Sequence, residues 1–293
     1  MSKDTRSVTV GIDGSPASLD AADWAAREAE RRRLALRLLH AGDEPAVPAQ
    51  PPGPDRSILD RAAVHLSYAH PALEIIARRT DTPPVPALLA AATESETLVL
   101  GSRGFSGLAG FLVGSVALTV AAGAERPVVL VRDGELPEDE RVPVDADTPP
   151  NRAPYLPVVL GLDLAHPADD LIGYAFDAAT MREAPLQVVH TWTPPPPRGY
   201  ATGARRPDDT AEQEDAKWRS LAVILQPWRH KFPETSVAEQ VVYGTTARHL
   251  LKASTRAGLL VIGRRASAGK GLGRAAHSLI HHSMCPVAVV AHD

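Results

Sequence analysis

Short apolar runs alternate with longer segments of helical period along the chain. The runs "VTVGI", "TLVLG" and "VVLVR" show no alternation with polar residues, which is typical of strands covered on both faces. Strands that alternate with helices in this rhythm predict β–α units and a parallel sheet. In the first half the predicted strands are 8–13, 36–41, 73–79, 97–101 and 128–132, and the predicted helices are 17–33, 56–69, 85–95 and 115–125.

The second half of the chain repeats the first. "VTVGIDGSPASLDAADWAAREAERRRLALRLLHA" (8–41) aligns with "VVLGLDLAHPADDLIGYAFDAATMREAPLQVVHT" (158–191), and "RPVVLVR" (126–132) aligns with "CPVAVVA" (285–291). Matches in the same order over this length indicate a tandem duplication. We therefore expect two α/β domains, each a five-stranded parallel sheet with helices on both faces, at 1–135 and 156–293. The acidic, proline-rich segment 136–155 between them has the composition of a linker that does not order itself.

Composition narrows the classes of function. The net charge of −4 and the pI near 6.3 give no basic surface of the kind that binds nucleic acid. No apolar stretch reaches the roughly 18 residues of a membrane span, and the N-terminus lacks a signal-peptide core, so we expect a cytoplasmic protein without a nucleic-acid or membrane partner. The single cysteine, Cys285, excludes an internal disulfide and is expected to be a small buried apolar residue.

The candidate chemistry follows two predicted strands. Ligands of open parallel sheets bind at the carboxyl ends of strands, where the strand order reverses. Asp13 ends the first strand, and the glycine-rich stretch "GSRGFSGLAGFLVGS" (101–115) follows the fourth. Its last residues, Gly114 and Ser115, open a helix whose free N–H groups favour an anion. Gly101, Gly104 and Gly114 are expected to allow positive φ and close approach of a ligand, and Arg103 can supply a charged fork.

This stretch matches neither standard phosphate loop. The second-half segment "GRRASAGKG" (263–271) is a near miss for the P-loop, but it has one residue too many between its glycines and a glycine in place of Ser or Thr. What the first half does contain is G-x-x-G, nine residues and then G-[ST], formed by Gly101, Gly104, Gly114 and Ser115. With this motif the chain resembles the tandem, ATP-binding type of universal stress protein, because "VGIDGSPAS", "LHA" and "PVVLV" also occur in that family's order.

The resemblance implies a flavodoxin-like (Rossmann-like) fold that binds ATP. By its own chemistry, the carboxylate of Asp13 can coordinate Mg²⁺ alongside the phosphates. The resemblance also implies the site residues, by position: Gly11, Ile12, Asp13, Ala41, Leu100, Gly101, Arg103, Gly104, Gly114, Ser115 and Val116. In the family the last strand commonly pairs across a two-fold interface. Here the two halves would pair in this way as a pseudo-dimer, with a homodimer and an unidentified protein partner as further assemblies.

The second half departs from the motif. Gly104 is replaced by Ala266 and the nine-residue spacer shrinks to six, which changes the shape of the cradle. The corresponding residues are Asp163, Gly263, Arg265, Gly273 and Arg274. Their charge is compatible with an altered anion site, but a degenerate site retained for packing is the favoured interpretation.

Several other patterns have a structural explanation. His277 and His281 have the spacing of a two-histidine metal face, but apart from Cys285 no nearby carboxylate or cysteine completes a set, which favours a solvated or interface helix. Trp24 and Tyr174 share a repeat position and are expected in the core. The basic run "ERRRLALR" (30–37) ends a helix, where cations suit the helix dipole, and is expected to be solvated. His40 and His190 end equivalent strands and are expected to support the site or the core.

These observations leave three classes of function open. The leading hypothesis is a stress-response regulatory protein that holds ATP in its first half. A weak Mg²⁺-dependent ATPase or phosphotransferase is the second, although no catalytic base is identifiable. The third is an interaction protein that binds no nucleotide.

Overall fold

The computed structural model describes residues 7–42, 57–102, 113–143, 153–193, 207–266 and 271–293. In its first half the predicted elements are all present, with ends within two residues of the predicted ones. They are β1 (Ser7–Gly11), α1 (Pro16–Arg32), β2 (Ala35–Ala41), α2 (Ile58–Ala69), β3 (Ile75–Thr80), α3 (Pro84–Thr93), β4 (Ser95–Ser102), α4 (Ser115–Gly123) and β5 (Val128–Arg132).

The second half repeats this order after a short 3-10 turn at Pro137–Glu140. Its elements are β6 (Val158–Gly161), α5 (Asp169–Met181), β7 (Leu186–Trp192), α6 (Pro207–Lys231), β8 (Val237–Tyr243), α7 (Thr246–Ser254), β9 (Leu259–Arg265), α8 (Arg274–His282) and β10 (Val287–His292). The helices α4 and α8 each begin directly after a glycine, Gly114 and Gly273, which supports the alignment of these two positions in the duplication.

All ten strands form one sheet, in the order β3-β2-β1-β4-β5-β10-β9-β6-β7-β8. Within each half every neighbouring pair is parallel. The halves meet where β5 and β10 pair antiparallel, with Val287 opposite Leu130 and Val289 opposite Val128. The predicted pairing of the last strands is therefore confirmed, and it joins the two five-stranded sheets into a single one.

Two apolar cores lie on the two faces of this sheet, and each runs through both halves. One contains buried residues of α1, α2, α5 and α6, and the other contains residues of α3, α4, α7 and α8. Trp24 and Tyr174 lie in the first core, as predicted. Cys285 lies in the second, where burial raises the pKa of its thiol to about 12. No helix among the described residues is both long and apolar enough to cross a bilayer.

The helices α1 and α5 meet around one carboxylate. Glu28 is fully buried, and its side chain accepts hydrogen bonds from Arg182 Nη2 at 2.7 Å, Arg32 Nε at 2.7 Å and Arg31 Nη1 at 3.1 Å. Burial by itself would raise the pKa of Glu28, but the three guanidinium groups together hold that pKa far below its usual range. The charge is therefore retained inside the protein because it is neutralised there.

This contact follows the symmetry of the duplication. Arg32 and Arg182 occupy equivalent repeat positions, and each lies over the aromatic ring of the other half. Arg32 stands 5.5 Å from the ring centre of Tyr174, and Arg182 stands 5.7 Å from that of Trp24. The carboxylate of Glu28 lies between the two arginines and joins the halves.

Two expectations from the sequence are wrong here. The basic run that ends α1 is not solvated, since the side chains of Arg31 and Arg32 are largely buried against Glu28 and Glu140. The start of the linker is also ordered, because the fully buried Glu140 accepts hydrogen bonds from Arg27 and Arg31. The low apolar content of the segment predicted that it would not be ordered. This prediction fails because ion pairs, and not apolar burial, hold the segment in place.

We expect Glu28→Ala to destabilise the chain strongly. Arg182 is fully buried, and removal of its carboxylate partner leaves an uncompensated charge, which costs about 3–5 kcal/mol in comparable sites. Urea unfolding measures the change. Because the folded-state pKa of Glu28 is lowered, the difference from the wild type should be complete at neutral pH and shrink as the pH falls below about 4.3.

The matched control is Glu30→Ala on the same helix, where a half-exposed carboxylate pairs with His70. Its effect should stay within about 1 kcal/mol, as for surface pairs. Equal losses from the two variants would contradict the central role of Glu28.

Candidate functional site

A cavity of 330 Å³ opens at the carboxyl ends of β1 and β4, between α1, α3 and α4. This is the place where the strand order of the first half reverses, since β1 lies between β2 and β4. Of the predicted site residues, Arg103 and Gly104 lie outside the described part of the chain. The other nine all line the cavity: Gly11, Ile12, Asp13, Ala41, Leu100, Gly101, Gly114, Ser115 and Val116.

The turn from β1 into α1 places Asp13 at the rim of the cavity. Gly14 takes a φ of +81°, and the chain then turns so that Asp13 Oδ1 accepts hydrogen bonds from the Ser15 backbone N–H at 2.9 Å and from its hydroxyl at 2.5 Å. Ser15 in turn caps α1 by accepting from the Ser18 N–H. Asp13 is therefore held in one orientation by the first turn of α1.

The opposite wall is the N-terminus of α4. Gly114 precedes the helix and has no side chain with which to cap it, and the first helical residues Ser115, Val116 and Ala117 line the cavity. The first N–H groups of a helix lack partners within the helix. Together with the helix dipole they make this wall attractive to an anion.

The rest of the lining is mostly apolar. Besides the predicted Ile12 and Leu100, it includes Leu39 on β2 and Leu88 on α3. A Cβ at Gly11 would lie 2.8 Å from Leu100 Cδ2 and 3.1 Å from Leu88 Cδ2, so any larger residue there would push these side chains apart. The cavity thus combines an apolar slot with an anion-binding helix end, and Asp13 is the one charged residue among the described residues that line it.

The glycines of the motif serve a different purpose from the one expected. Gly101 lies in β4, outside the left-handed region, and Gly114 has a φ of −60°, so the expectation of positive φ is wrong at both positions. Glycine is required at position 101 because α1 packs closely against the strand there. A Cβ at this position would lie 2.4 Å from the backbone oxygen of Ala17. The absence of a side chain lets α1 start directly against β4.

Six further residues line the cavity that were not predicted from the sequence: Leu39, Ser15, Ser18, Pro84, Leu88 and Ala117. Ser15 and Ser18 lie in the stretch "GIDGSPAS". Their position at the start of a predicted helix was the sequence feature that could have identified them as lining residues. Pro84 and Leu88 come from α3, and nothing in their local pattern distinguishes them from core residues.

The second half has a cavity of 420 Å³ at the equivalent place, lined by Asp163, Gly263, Arg265 and Gly273 among the predicted residues. Arg274 instead lines a neighbouring depression beside Thr191 and Gly244. Except for this residue, the structure brings the second predicted set together.

Charge distinguishes the second cavity from the first. His166 Nδ1 lies 3.2 Å from Asp163 Oδ2, and Arg265 Nη1 lies 3.4 Å from His166 Nε2. Burial alone would raise the pKa of Asp163, but the Ala165 N–H and His166 lower it below its ordinary value. A Cβ at Gly263 would lie 2.5 Å from His292 Nε2. His292 therefore lies against the end of β9, the strand that corresponds to β4 in the first half.

The histidines singled out in the sequence have structural contacts. His40 Nδ1 donates to the Ile12 carbonyl at 2.7 Å, and His190 Nδ1 donates to the Leu162 carbonyl at 3.0 Å, so both support the strand-end turns as expected. His281 is buried against the first half, which agrees with an interface helix. Within the described ranges, no three His, Cys, Asp or Glu side chains form a group that could hold a metal ion.

Comparisons with known proteins agree with this architecture. The sequence model described as "Universal stress protein family" matches residues 5–132 and 154–291. The chain is 30% identical over 304 residues to universal stress protein Rv2005c of Mycobacterium tuberculosis, covering 96% of each chain. The crystal structure of a universal stress protein from Archaeoglobus fulgidus superposes with a TM-score of 0.65 at 17% identity, covering 99% of both chains. A universal stress protein solved in complex with cAMP matches 44% of this chain and 98% of its own, at 33% identity and a TM-score of 0.35.

We expect Gly101→Ala to destabilise the fold and Gly114→Ala to leave it unchanged. The added methyl group meets the Ala17 backbone oxygen in the first case and has no atom of the described residues within 4 Å in the second, while the φ of Gly114 suits any residue. Thermal unfolding of the two variants should therefore separate them by several degrees. Equal melting temperatures would contradict the close approach of α1 to β4.

Proposed function

Because the chain belongs to the universal stress protein family, we propose that its first half binds ATP in the cavity between β1, β4 and α4 as a regulatory ligand. One observation carries this proposal: a helix N-terminus without a side-chain cap and an apolar slot face each other across the same cavity. A nucleotide has this division of character, with an anionic phosphate chain at one end and a flat, largely apolar base at the other.

The phosphate end would lie at α4. The N–H groups of the first turn and the Ser115 hydroxyl would donate to phosphate oxygens there. Asp13 stands at the rim of the same cavity, and Mg²⁺ is commonly held by one or two carboxylates, with phosphates and water as its remaining ligands. The residues present therefore suit Mg-ATP, with Asp13 as the metal's protein ligand.

The base would lie toward α3. Leu39, Leu88 and Ile12 offer an apolar surface, and the backbone at Ala41 reaches the edge of the cavity, where its polar groups can pair with the edge of an adenine. The volume of 330 Å³ lies within the range of about 300–1,000 Å³ that is usual for small-molecule sites.

The second half would not bind nucleotide in the same way. Its helix α8 begins with Arg274 where α4 has Ser115, and its cavity is lined by His166, Arg264 and Arg265 in addition to Asp163, the equivalent of Asp13. These differences support a single nucleotide per chain, held by the first half, and a second cavity of different chemistry.

The first test is the nucleotide content of freshly purified protein. After denaturation, mass spectrometry should find close to one mole of ATP per mole of chain. A value near two would show that the second cavity also binds nucleotide. The absence of nucleotide, together with no thermal stabilisation by added Mg-ATP, would overturn the proposal.

A second test places a charge at the proposed phosphate end. Ser115→Asp adds a carboxylate to the first position of α4, where it stabilises the helix but repels phosphates, so we expect ATP affinity to fall at least about tenfold with no loss of thermal stability. Isothermal titration calorimetry of the full chain measures the affinity.

The neutral variant Ser115→Asn is the matched control, since it has nearly the same shape without the charge. It should bind ATP within about threefold of the wild type. Equal affinities for the Asp and Asn variants would show that the phosphates lie elsewhere.

A further inference from the structure

The helix that forms the proposed phosphate end is held from the other half of the chain. At its start, the Val113 N–H donates to His281 Nδ1 of α8 at 3.5 Å. At its end, Arg264 Nη2 of β9 donates to the Ala124 carbonyl at 2.5 Å. Both side chains are buried, with 9% of His281 and 7% of Arg264 exposed, so these contacts are part of the interior between the halves.

Each contact acts on a defined part of α4. Val113 directly precedes Gly114, the residue that opens the helix, so His281 holds the chain at the point where it enters the phosphate wall. Ala124 is the C-cap of α4, and a guanidinium at that end pairs with a helix carbonyl and complements the negative end of the dipole. The two contacts together fix both ends of a helix about 13 Å long.

Among the described residues, neither contact is repeated at the equivalent position in the opposite direction. By the alignment of α4 with α8, the position equivalent to His281 is Ala122, whose side chain has no group that could accept a hydrogen bond. The position equivalent to Arg264 is Ser102, whose hydroxyl donates to the Val131 carbonyl within its own half. The second half therefore supports the first half's helix through these two positions, whereas the equivalent positions, Ala122 and Ser102, show no such contact with α8 among the described residues.

We propose that His281 and Arg264 are positioning residues for the nucleotide site of the first half, so that the second half sets its affinity without contacting the nucleotide. This inference rests on the proposed binding of ATP at α4. N–H donors bind an anion well only when they are oriented in advance, because a helix that must be reoriented on binding loses part of the affinity. The altered second half thus has a function that does not need a ligand in its own cavity.

The decisive variant is His281→Ala in the full chain, studied by calorimetric titration with Mg-ATP and by hydrogen exchange in the free protein. We expect ATP affinity to fall about fivefold and the amides of Val113 and of the first turn of α4 to exchange faster. The amides of β9 and β10 should keep their wild-type rates, because the loss is local to α4. Arg264→Met, which keeps the aliphatic stem, should also weaken ATP binding and speed exchange at the C-terminal end of α4.

Two further variants separate positioning from general packing. His281→Asn places an acceptor oxygen where Nδ1 stood and should restore affinity to within about twofold of the wild type. His282→Ala removes the neighbouring exposed histidine of α8 and should leave affinity unchanged.

Each result decides between the hypotheses. If the wild type binds Mg-ATP and His281→Ala binds it equally well, the positioning role is overturned and the proposed function stands. If Asn fails to restore what Ala loses, the role of the acceptor atom is wrong. If the wild type binds no nucleotide, the proposed function and this inference fall together.

Discussion

The arrangement of the two halves depends on the carboxylate of Glu28. It is fully buried, and it is shared by Arg32 of its own half and Arg182 of the other. Strand pairing between β5 and β10 supplies only a short antiparallel ladder, from Val287 to Val289, and a ladder of this length does not define the angle between the helices above it. The ion pairs define the orientation of the helices, because the N–H groups of a guanidinium donate in fixed directions. Each arginine also lies over an aromatic ring of the other half.

This junction determines where the two cavities lie. Since β5 and β10 run in opposite directions, the carboxyl ends of the first five strands and those of the second five point to opposite edges of the sheet. The cavities cannot merge into one site, and any influence of one half on the other must pass through the interior. The helices that are buried between the halves are the available route, and α4 lines the first cavity as α8 lines the second.

Local sequence pattern was sufficient for the elements and the repeat, and the family resemblance supplied most of the residues that line the first cavity. Apolar runs define the strands because each is buried on both faces, and the glycine spacing places Gly101 and Gly114 at the ends of neighbouring elements. The pattern could not predict what is decided by distant partners. Arg31 and Arg32 look like a solvated helix end until Arg182 and Glu140, more than a hundred positions away, bring the charges inside. The contact of His281 with Val113 could not be predicted either, because these residues are also distant in sequence. The close approach of α1 to β4, which requires glycine at position 101, likewise depends on a distant partner and not on the local φ.

The charge at the junction also bears on why the halves are one chain. In a symmetric dimer of identical subunits every interface residue occurs twice, so a residue at the centre of the contact meets its own copy. Two glutamates at position 28 would bring two negative charges together, with the arginines divided between them. In this chain the equivalent of Glu28 is Ala178, so a single carboxylate neutralises arginines from both halves. The same freedom allows α4 to keep an open N-terminus for an anion while α8 carries Arg274 and His281 instead. Covalent linkage thus permits one half to retain the proposed nucleotide site and the other to provide the proposed support for it.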